Sequence, residues 1–167
     1  MSDETTNESA EGETPGHLFL VIVDESEELS QALFYACRSS VRIGGRVALL
    51  KVVEPAEFQH WIGVGELMRA EARDEAEELL QSVAAVVHGR TGTMPVIFIR
   101  EGEVEEQVVE LLREEPNIAA LVLGAASGDQ GPGPLVSGLI SRLSGQLPVP
   151  IIVVPGSLTQ DEIQAIT

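Results

Sequence analysis

The chain has 167 residues, 44% of them hydrophobic, which fits one globular domain of ordinary size. Its 27 acidic and 10 basic side chains give a formal net charge of -17, which would repel nucleic acid and anionic lipid surfaces alike. The longest apolar runs are the length of strands, well short of the roughly 20 residues of a membrane span, so we expect a soluble protein without nucleic-acid or membrane partners.

The N-terminal segment carries acids, Ser and Thr, with neither the basic start nor the apolar middle of a secretory signal. This composition predicts a disordered acidic tail over residues 1–15. We expect the folded domain over residues 16–156 and a C-terminal extension over residues 157–167.

Residues 17–24 (HLFLVIVD) form a continuous apolar run that ends in an acid, which predicts a strand covered on both faces of a parallel sheet. A helical period starts at Ser26 and stops at Gly44-Gly45. Cys37 lies on the inner face of this helix, so we interpret it as a small core residue rather than a nucleophile. A single cysteine excludes an intramolecular disulfide and fits a cytoplasmic location.

Residues 46–53 predict the second strand, and residues 66 to about 88 predict the longest helix. Between them lies a loop that carries Phe58 and Trp61. These apolar side chains either cap the sheet edge or form a lid or a surface for a protein partner.

The alternation of strand and helix continues to the end of the domain. Further strands are predicted over residues 95–100, 119–123 and 149–154, and further helices over residues 103–115 and 135–147. Strict alternation with short connections predicts an α/β fold: an open, doubly wound, five-stranded parallel sheet with helices on both faces.

Ligands of such sheets bind outside the carboxyl ends of the strands. The positions to consider are therefore Asp24, residues 52–54 and the loop after Leu123. Asp24 either hydrogen-bonds the ribose or adenine of a nucleotide or caps the following helix.

The segment Gly124 to Gly138 (GAASGDQGPGPLVSG) contains five glycines between a predicted strand and a predicted helix. Such a loop can bring backbone N–H groups to phosphate oxygens, or it can be a connection stiffened by Pro132 and Pro134. The sequence lacks both a Walker-type Gly-Lys-Ser/Thr and a Gly-x-Gly turn after the first strand, which excludes those two kinds of nucleotide site.

The histidines, His17, His60 and His88, precede a strand, lie in a loop and end a helix, so they form neither a catalytic pair nor a metal site. Three pairs of adjacent acids are interpreted as solvated helix faces: Glu27-Glu28, Glu77-Glu78 and Glu105-Glu106. These observations favour a binding or regulatory module over an enzyme.

Four segments taken in order resemble the universal stress protein family, and the resemblance covers about Leu18 to Pro155. They are VIVDESEEL (21–29), ALLKVVEP (48–55), REGEVEEQVVEL (100–111), and LVLGAASG (121–128) followed by PVPIIVVPG (148–156). The resemblance implies a sheet of strand order 3-2-1-4-5. It also implies a homodimer that pairs through the last strand, Pro148 to Val154.

Members of this family that bind ATP carry Gly-x-x-Gly, nine residues, then Gly-Ser/Thr. Counted from Gly124, this chain has Ser127 in place of the second glycine and the inverted pair Ser137-Gly138; an alternative alignment from Gly128 to Gly138 needs an insertion.

If a nucleotide binds, the resemblance places Asp24 and the Val52 backbone at the base and ribose. The predicted phosphate residues are Gly124, Ser127, Gly128, Ser137 and Gly138, with ATP and Mg²⁺ as the cofactor.

The resemblance implies a homodimeric regulatory or stress-response protein with a modified nucleotide pocket and a possible protein partner. The alternative is an ATP-binding protein that hydrolyses ATP slowly with Mg²⁺. A third hypothesis is a structural dimer module whose pocket is vacant and whose specificity resides in the acidic tail.

Overall fold

The computed structural model describes residues 16–55, 64–143 and 145–167. The predicted tail, residues 1–15, and the loop side chains Phe58 and Trp61 lie outside these ranges. Strands and helices alternate along the described chain: β1 (Leu18–Ile22), α1 (Leu29–Ile43), β2 (Arg46–Val53), α2 (Val64–Thr91), β3 (Val96–Glu101), α3 (Val104–Glu114), β4 (Ile118–Ala125), α4 (Pro134–Leu143), β5 (Ile151–Pro155) and α5 (Gln160–Ile166).

The five strands form one sheet in the order β3-β2-β1-β4-β5, and every neighbouring pair is parallel. The most apolar strand, β1, lies in the middle, with Leu20 opposite Ala48 of β2 and Leu121 of β4. Both the predicted fold class and the strand order are confirmed.

Helices cover both faces of the sheet because alternate strand residues, buried on opposite sides, need apolar partners on each. On one face α1, α2 and α5 contribute buried side chains, among them Ala36, Leu80 and Ile163, against Val21 and Leu49. On the other face α3 and α4 contribute Val108, Leu111 and Leu139 against Leu20 and Leu50.

Several element boundaries differ from the predicted ones. β4 continues to Ala125, so Gly124 belongs to a strand, and α4 begins at Pro134, a residue type that suits the first helical position because it lacks an N–H. The longest described helix, α2, has 28 residues. Within residues 16–55, 64–143 and 145–167, no helix is long and apolar enough to cross a membrane.

The predicted C-terminal extension contains a helix, α5. The Thr159 side chain accepts a hydrogen bond from the Glu162 backbone N–H at 3.2 Å, and the Glu162 carboxylate accepts one from the Thr159 N–H at 2.8 Å. This reciprocal capping box starts the helix, and Ile163 one residue later is fully buried in the core that includes α1. Residues 159–166 are therefore part of the packed fold.

Candidate functional site

A cleft of about 430 Å³ opens at the carboxyl ends of β1 and β2. We call it the strand-end cleft. Residues 22–25 and 51–54 line it from the strand ends, and Ala72, Ala76 and Leu79 of α2 form an apolar wall. Its volume lies within the range of small-molecule sites, roughly 300–1,000 Å³.

Two further clefts adjoin it around Leu135, which lines all three. The switch-point cleft, about 160 Å³, lies between the ends of β1 and β4, where the chain leaves toward opposite faces of the sheet. The helix cleft, about 360 Å³, lies between the start of α3 and the start of α4. Together they form a concave surface at the edge of the sheet where doubly wound folds bind ligands.

Asp24 lines both the strand-end and the switch-point clefts. Its Oδ1 accepts hydrogen bonds from the Ser26 N–H at 3.1 Å and the Ser26 hydroxyl at 2.6 Å. Helix α1 begins later, at Leu29, so Asp24 stabilises the turn before the helix rather than capping the helix itself. Its second oxygen, Oδ2, receives no hydrogen bond from the described residues and can accept one from a ligand hydroxyl.

The Val52 backbone lies just past the C-terminal end of β1, whose last paired residue, Ile22, is opposite Leu50. The Leu50 carbonyl accepts from the Val23 N–H at 2.7 Å, on the β1 side, whereas the Val53 carbonyl accepts from Gly102 on the β3 side. Because backbone groups of residues i and i+2 point the same way along a strand, the N–H and C=O of Val52 point toward β1, beyond its last paired residue. Among the described residues no group hydrogen-bonds to Val52 on this side, so its N–H and C=O can serve a ligand in the strand-end cleft, which Val52 lines.

Gly124 lines the switch-point cleft, and its lack of a side chain is explained by packing. A Cβ at this position would overlap the backbone carbonyl of Glu28, at the start of α1. Gly156 is crowded in the same way, with the Glu28 Cβ 3.0 Å from where its own Cβ would be. Glycine at both positions lets the start of α1 lie directly on the strand ends.

The other predicted phosphate residues line none of the three clefts. Ser127 and Gly128 lie in the exposed loop after β4, and Ser137 and Gly138 lie within α4. The structure therefore groups Asp24 with Val52 in one cleft and with Gly124 in the next. Of the other four, Ser127 lies near Gly156, with its Oγ 3.2 Å from where a Gly156 Cβ would be.

Two acids that the sequence analysis interpreted as solvated, Glu28 and Glu105, instead contact glycines of the predicted phosphate residues. Glu28 contacts Gly124 and lines the switch-point cleft, and Glu105 lines the helix cleft. Glu105 is also close to Gly138, where a Cβ would overlap its Oε1, and its Oε2 lies 3.3 Å from Arg142 Nη1. No local pattern could reveal these contacts, because the partners are far apart in the sequence.

The clefts are strongly acidic. Among the described residues two cations line them, Lys51 in the strand-end cleft and Arg142 in the helix cleft. In the same described part of the chain the clefts are lined by seven carboxylates: Asp24, Glu25, Glu28, Glu54, Glu75, Glu103 and Glu105.

The described residues supply little for catalysis. His17 and His88 line none of the clefts, and His60 lies outside the described ranges. In the part of the chain that the structure describes, no three His, Cys, Asp or Glu side chains are grouped to hold a metal ion. Cys37 is buried, and burial raises the pKa of its thiol to about 11, as expected of a core residue.

The sheet order and the clefts at its carboxyl edge define a doubly wound α/β protein of the kind that binds ligands at a switch point. The model of the universal stress protein family matches residues 17–155, and the chain belongs to that family.

Solved structures of the family share the fold. The universal stress protein UspA from Lactobacillus plantarum is 20% identical, with a TM-score of 0.67 over 85% of this chain and 99% of its own. A universal stress protein from Archaeoglobus fulgidus in complex with dAMP is 15% identical, with a TM-score of 0.60 over 84% and 98%. A third, in complex with cAMP, is 13% identical, with a TM-score of 0.57 over 86% and 100%. No curated protein sequence matches the chain.

Proposed function

We propose that this chain is a regulatory protein of the universal stress type whose strand-end cleft binds the nucleoside part of a small ligand. The observation that carries the proposal is the Val52 backbone, which has no hydrogen-bond partner on its β1 side among the described residues and lines the same cleft of about 430 Å³ as Asp24. Two proteins of similar fold were solved with dAMP and with cAMP, which supports this class of ligand.

The residues of the cleft suit the two halves of a nucleoside. Asp24 Oδ2 would accept hydrogen bonds from a sugar hydroxyl, and the N–H and C=O of Val52 would pair with the edge of a base. Ala72, Ala76 and Leu79 would pack against the face of that base. Binding of this kind needs no nucleophile or general base, in keeping with a regulatory role.

ATP hydrolysis has less support as an alternative. Lys51 is the one cation among the described residues that line the strand-end cleft, and a chelated polyphosphate would lie among carboxylates. The surroundings therefore do not fit the phosphates of ATP, although they fit a base and a sugar.

The ligand site can be tested by filling it. Isothermal titration would measure the binding of adenosine, AMP and ATP to the full chain and to an Ala72→Phe variant. We expect binding of at least one of these ligands, and its loss in Ala72→Phe because the ring occupies the cleft. Ala70→Phe, two residues away on the exposed surface of α2, is the matched control and should bind normally. Binding unchanged by Ala72→Phe, or no binding of any ligand, would refute the site.

We also propose that the protein works as a homodimer paired through the last strand, Pro148 to Val154. In support, β5 forms one edge of the sheet, and Val153 on it is 37% exposed. An exposed apolar edge strand is a ready surface for pairing with another chain.

Sedimentation velocity at micromolar concentration tests the dimer. The unmodified chain should sediment as a dimer and Val153→Asp as a monomer, because two buried carboxylates would face one another across the symmetry axis. Met94→Asp, an exposed apolar residue before β3 at the opposite edge of the sheet, is the control and should leave the dimer intact. A monomeric unmodified chain would refute this arrangement.

A further inference from the structure

The clefts where phosphates would lie carry carboxylates in place of cations. Glu28 lines the switch-point cleft, and Glu54, Glu103 and Glu105 line the helix cleft. Arg142 is the cation of the helix cleft, but it lies 3.3 Å from Glu105 in an ion pair. A bound phosphate would have to compete with that carboxylate for its positive charge.

Among the described residues that line the adjoining strand-end cleft there is one cation, Lys51. The sequence has 10 Lys and Arg residues, and none lies in residues 56–63 between β2 and α2 or in residues 126–133 between β4 and α4. The second loop adds an acid, Asp129. Pro132 and Gly133 of the second loop line the switch-point cleft, and this loop supplies no positive charge to a phosphate there.

Two backbone donors that flank the loop after β4 are already engaged within it. The Ala126 N–H donates to the Pro132 carbonyl at 3.0 Å, and the Ser137 N–H donates to the Gly133 carbonyl at 3.1 Å. Pro132 and Pro134 have no N–H at all. These four positions therefore offer no N–H group to a phosphate, whose sites at helix starts depend on converging N–H groups.

Glu105 is the residue whose charge is least compatible with a phosphate site. Its carboxylate lies against Gly138, one of the residues that the family resemblance assigns to phosphate. Glu105 and its ion-pair partner Arg142 both line the helix cleft, where the carboxylate repels a bound anion.

We infer that the site takes a nucleoside without a phosphate group and discriminates against nucleotides by charge. This inference rests on the proposed nucleoside site and specifies its ligand class. Each added phosphate brings negative charge toward Glu28 and Glu105, so affinity falls from adenosine to AMP to ATP. The same charges make the discrimination sensitive to salt, because ions screen repulsion between partly exposed groups.

The experiment is isothermal titration of the full chain with adenosine, AMP, ATP, and ATP with Mg²⁺, at low and at high salt. We expect adenosine to bind at least about tenfold more tightly than AMP at low salt, with a smaller ratio at high salt. AMP, ATP or ATP with Mg²⁺ binding as tightly as adenosine would overturn the inference while leaving the proposed site intact. If none of the four binds, the proposed site and the inference both fail.

A pair of isosteric variants tests the cause. Glu105→Gln removes the charge beside Gly138 and releases Arg142, so the ratio of adenosine to AMP affinity should fall several-fold toward one. Glu106→Gln makes the same change in net charge at the adjacent, exposed position, which lines none of the clefts, and should leave the ratio unchanged. Equal ratios in the two variants would overturn the assignment of the discrimination to Glu105.

Discussion

The backbone carbonyl of Glu28 lies directly against Gly124, with no space for a side chain between the start of α1 and the end of β4. The contact lies where the chain leaves the centre of the sheet toward opposite faces, from β1 into α1 and from β4 toward α4. Glycine at this position is thus required by packing whether or not a ligand binds.

Gly124→Ala should destabilise the protein by about 1–3 kcal/mol, because the new methyl group meets backbone atoms that cannot move independently. Urea denaturation would measure the loss as a lower midpoint with a similar slope. Gly89→Ala in α2 is the control: nothing lies within 4 Å of its Cβ, and alanine in a helix should be neutral or stabilise by up to about 1 kcal/mol. Equal stability of Gly124→Ala and the unmodified chain would contradict the contact.

Ile163→Ala should lower the free energy of unfolding by about 2–5 kcal/mol, because it leaves a cavity in the core between α5 and α1. Ile163 is fully buried, whereas Ile166 on the same helix is 64% exposed. Ile166→Ala is the matched control and should change stability by less than about 0.5 kcal/mol. Similar small effects from both variants, measured by thermal or urea unfolding, would show that α5 is not part of the core.

The Arg100 guanidinium donates a hydrogen bond to the Glu114 carboxylate, which lowers the pKa of Glu114 below its usual value. A lowered pKa in the folded state contributes stability above the usual carboxyl pKa, about 4.3, and that contribution is lost as pH falls through the folded pKa. Any stability difference between Arg100→Gln and the unmodified chain should therefore shrink as the solution becomes more acidic.

Carboxyl NMR titration of Glu114 measures the shift directly. The pKa of Glu114 should rise toward its ordinary range in Arg100→Gln. Arg113→Gln, which removes the charge of the preceding residue but not the hydrogen-bond donor, should change it less. An identical titration of Glu114 in all three proteins would disprove the pairing with Arg100.

Cys37 should resist thiol reagents in the native protein, because burial raises the pKa of its thiol to about 11 and covers the sulfur. At pH 8 the reactive thiolate is scarce, and labelling should require local or global opening. Labelling in denaturant should be complete within the dead time of a manual assay, and native labelling should be slower by several orders of magnitude. Comparable native and denatured rates would contradict this burial.

The pattern of apolar residues in the sequence was enough to predict the sheet and its helices. Strand runs such as residues 17–24 are local, and strict alternation with helices leaves parallel pairing as the simple solution. The short helix α5 was missed, although Thr159 and Glu162 carry the spacing of a capping box. One turn of helical period around Ile163 is too short to stand out without its tertiary partner.

The candidate site also combines residues that the sequence could place with contacts that it could not. Asp24 and Val52 could be placed from the sequence, because their position at strand ends follows from local pattern and the geometry of parallel sheets. The contacts of Glu28 with Gly124 and of Glu105 with Gly138 and Arg142 were decided by the tertiary structure alone. Residues distant in sequence meet there through helix packing, and it is this packing that gives the clefts their charge.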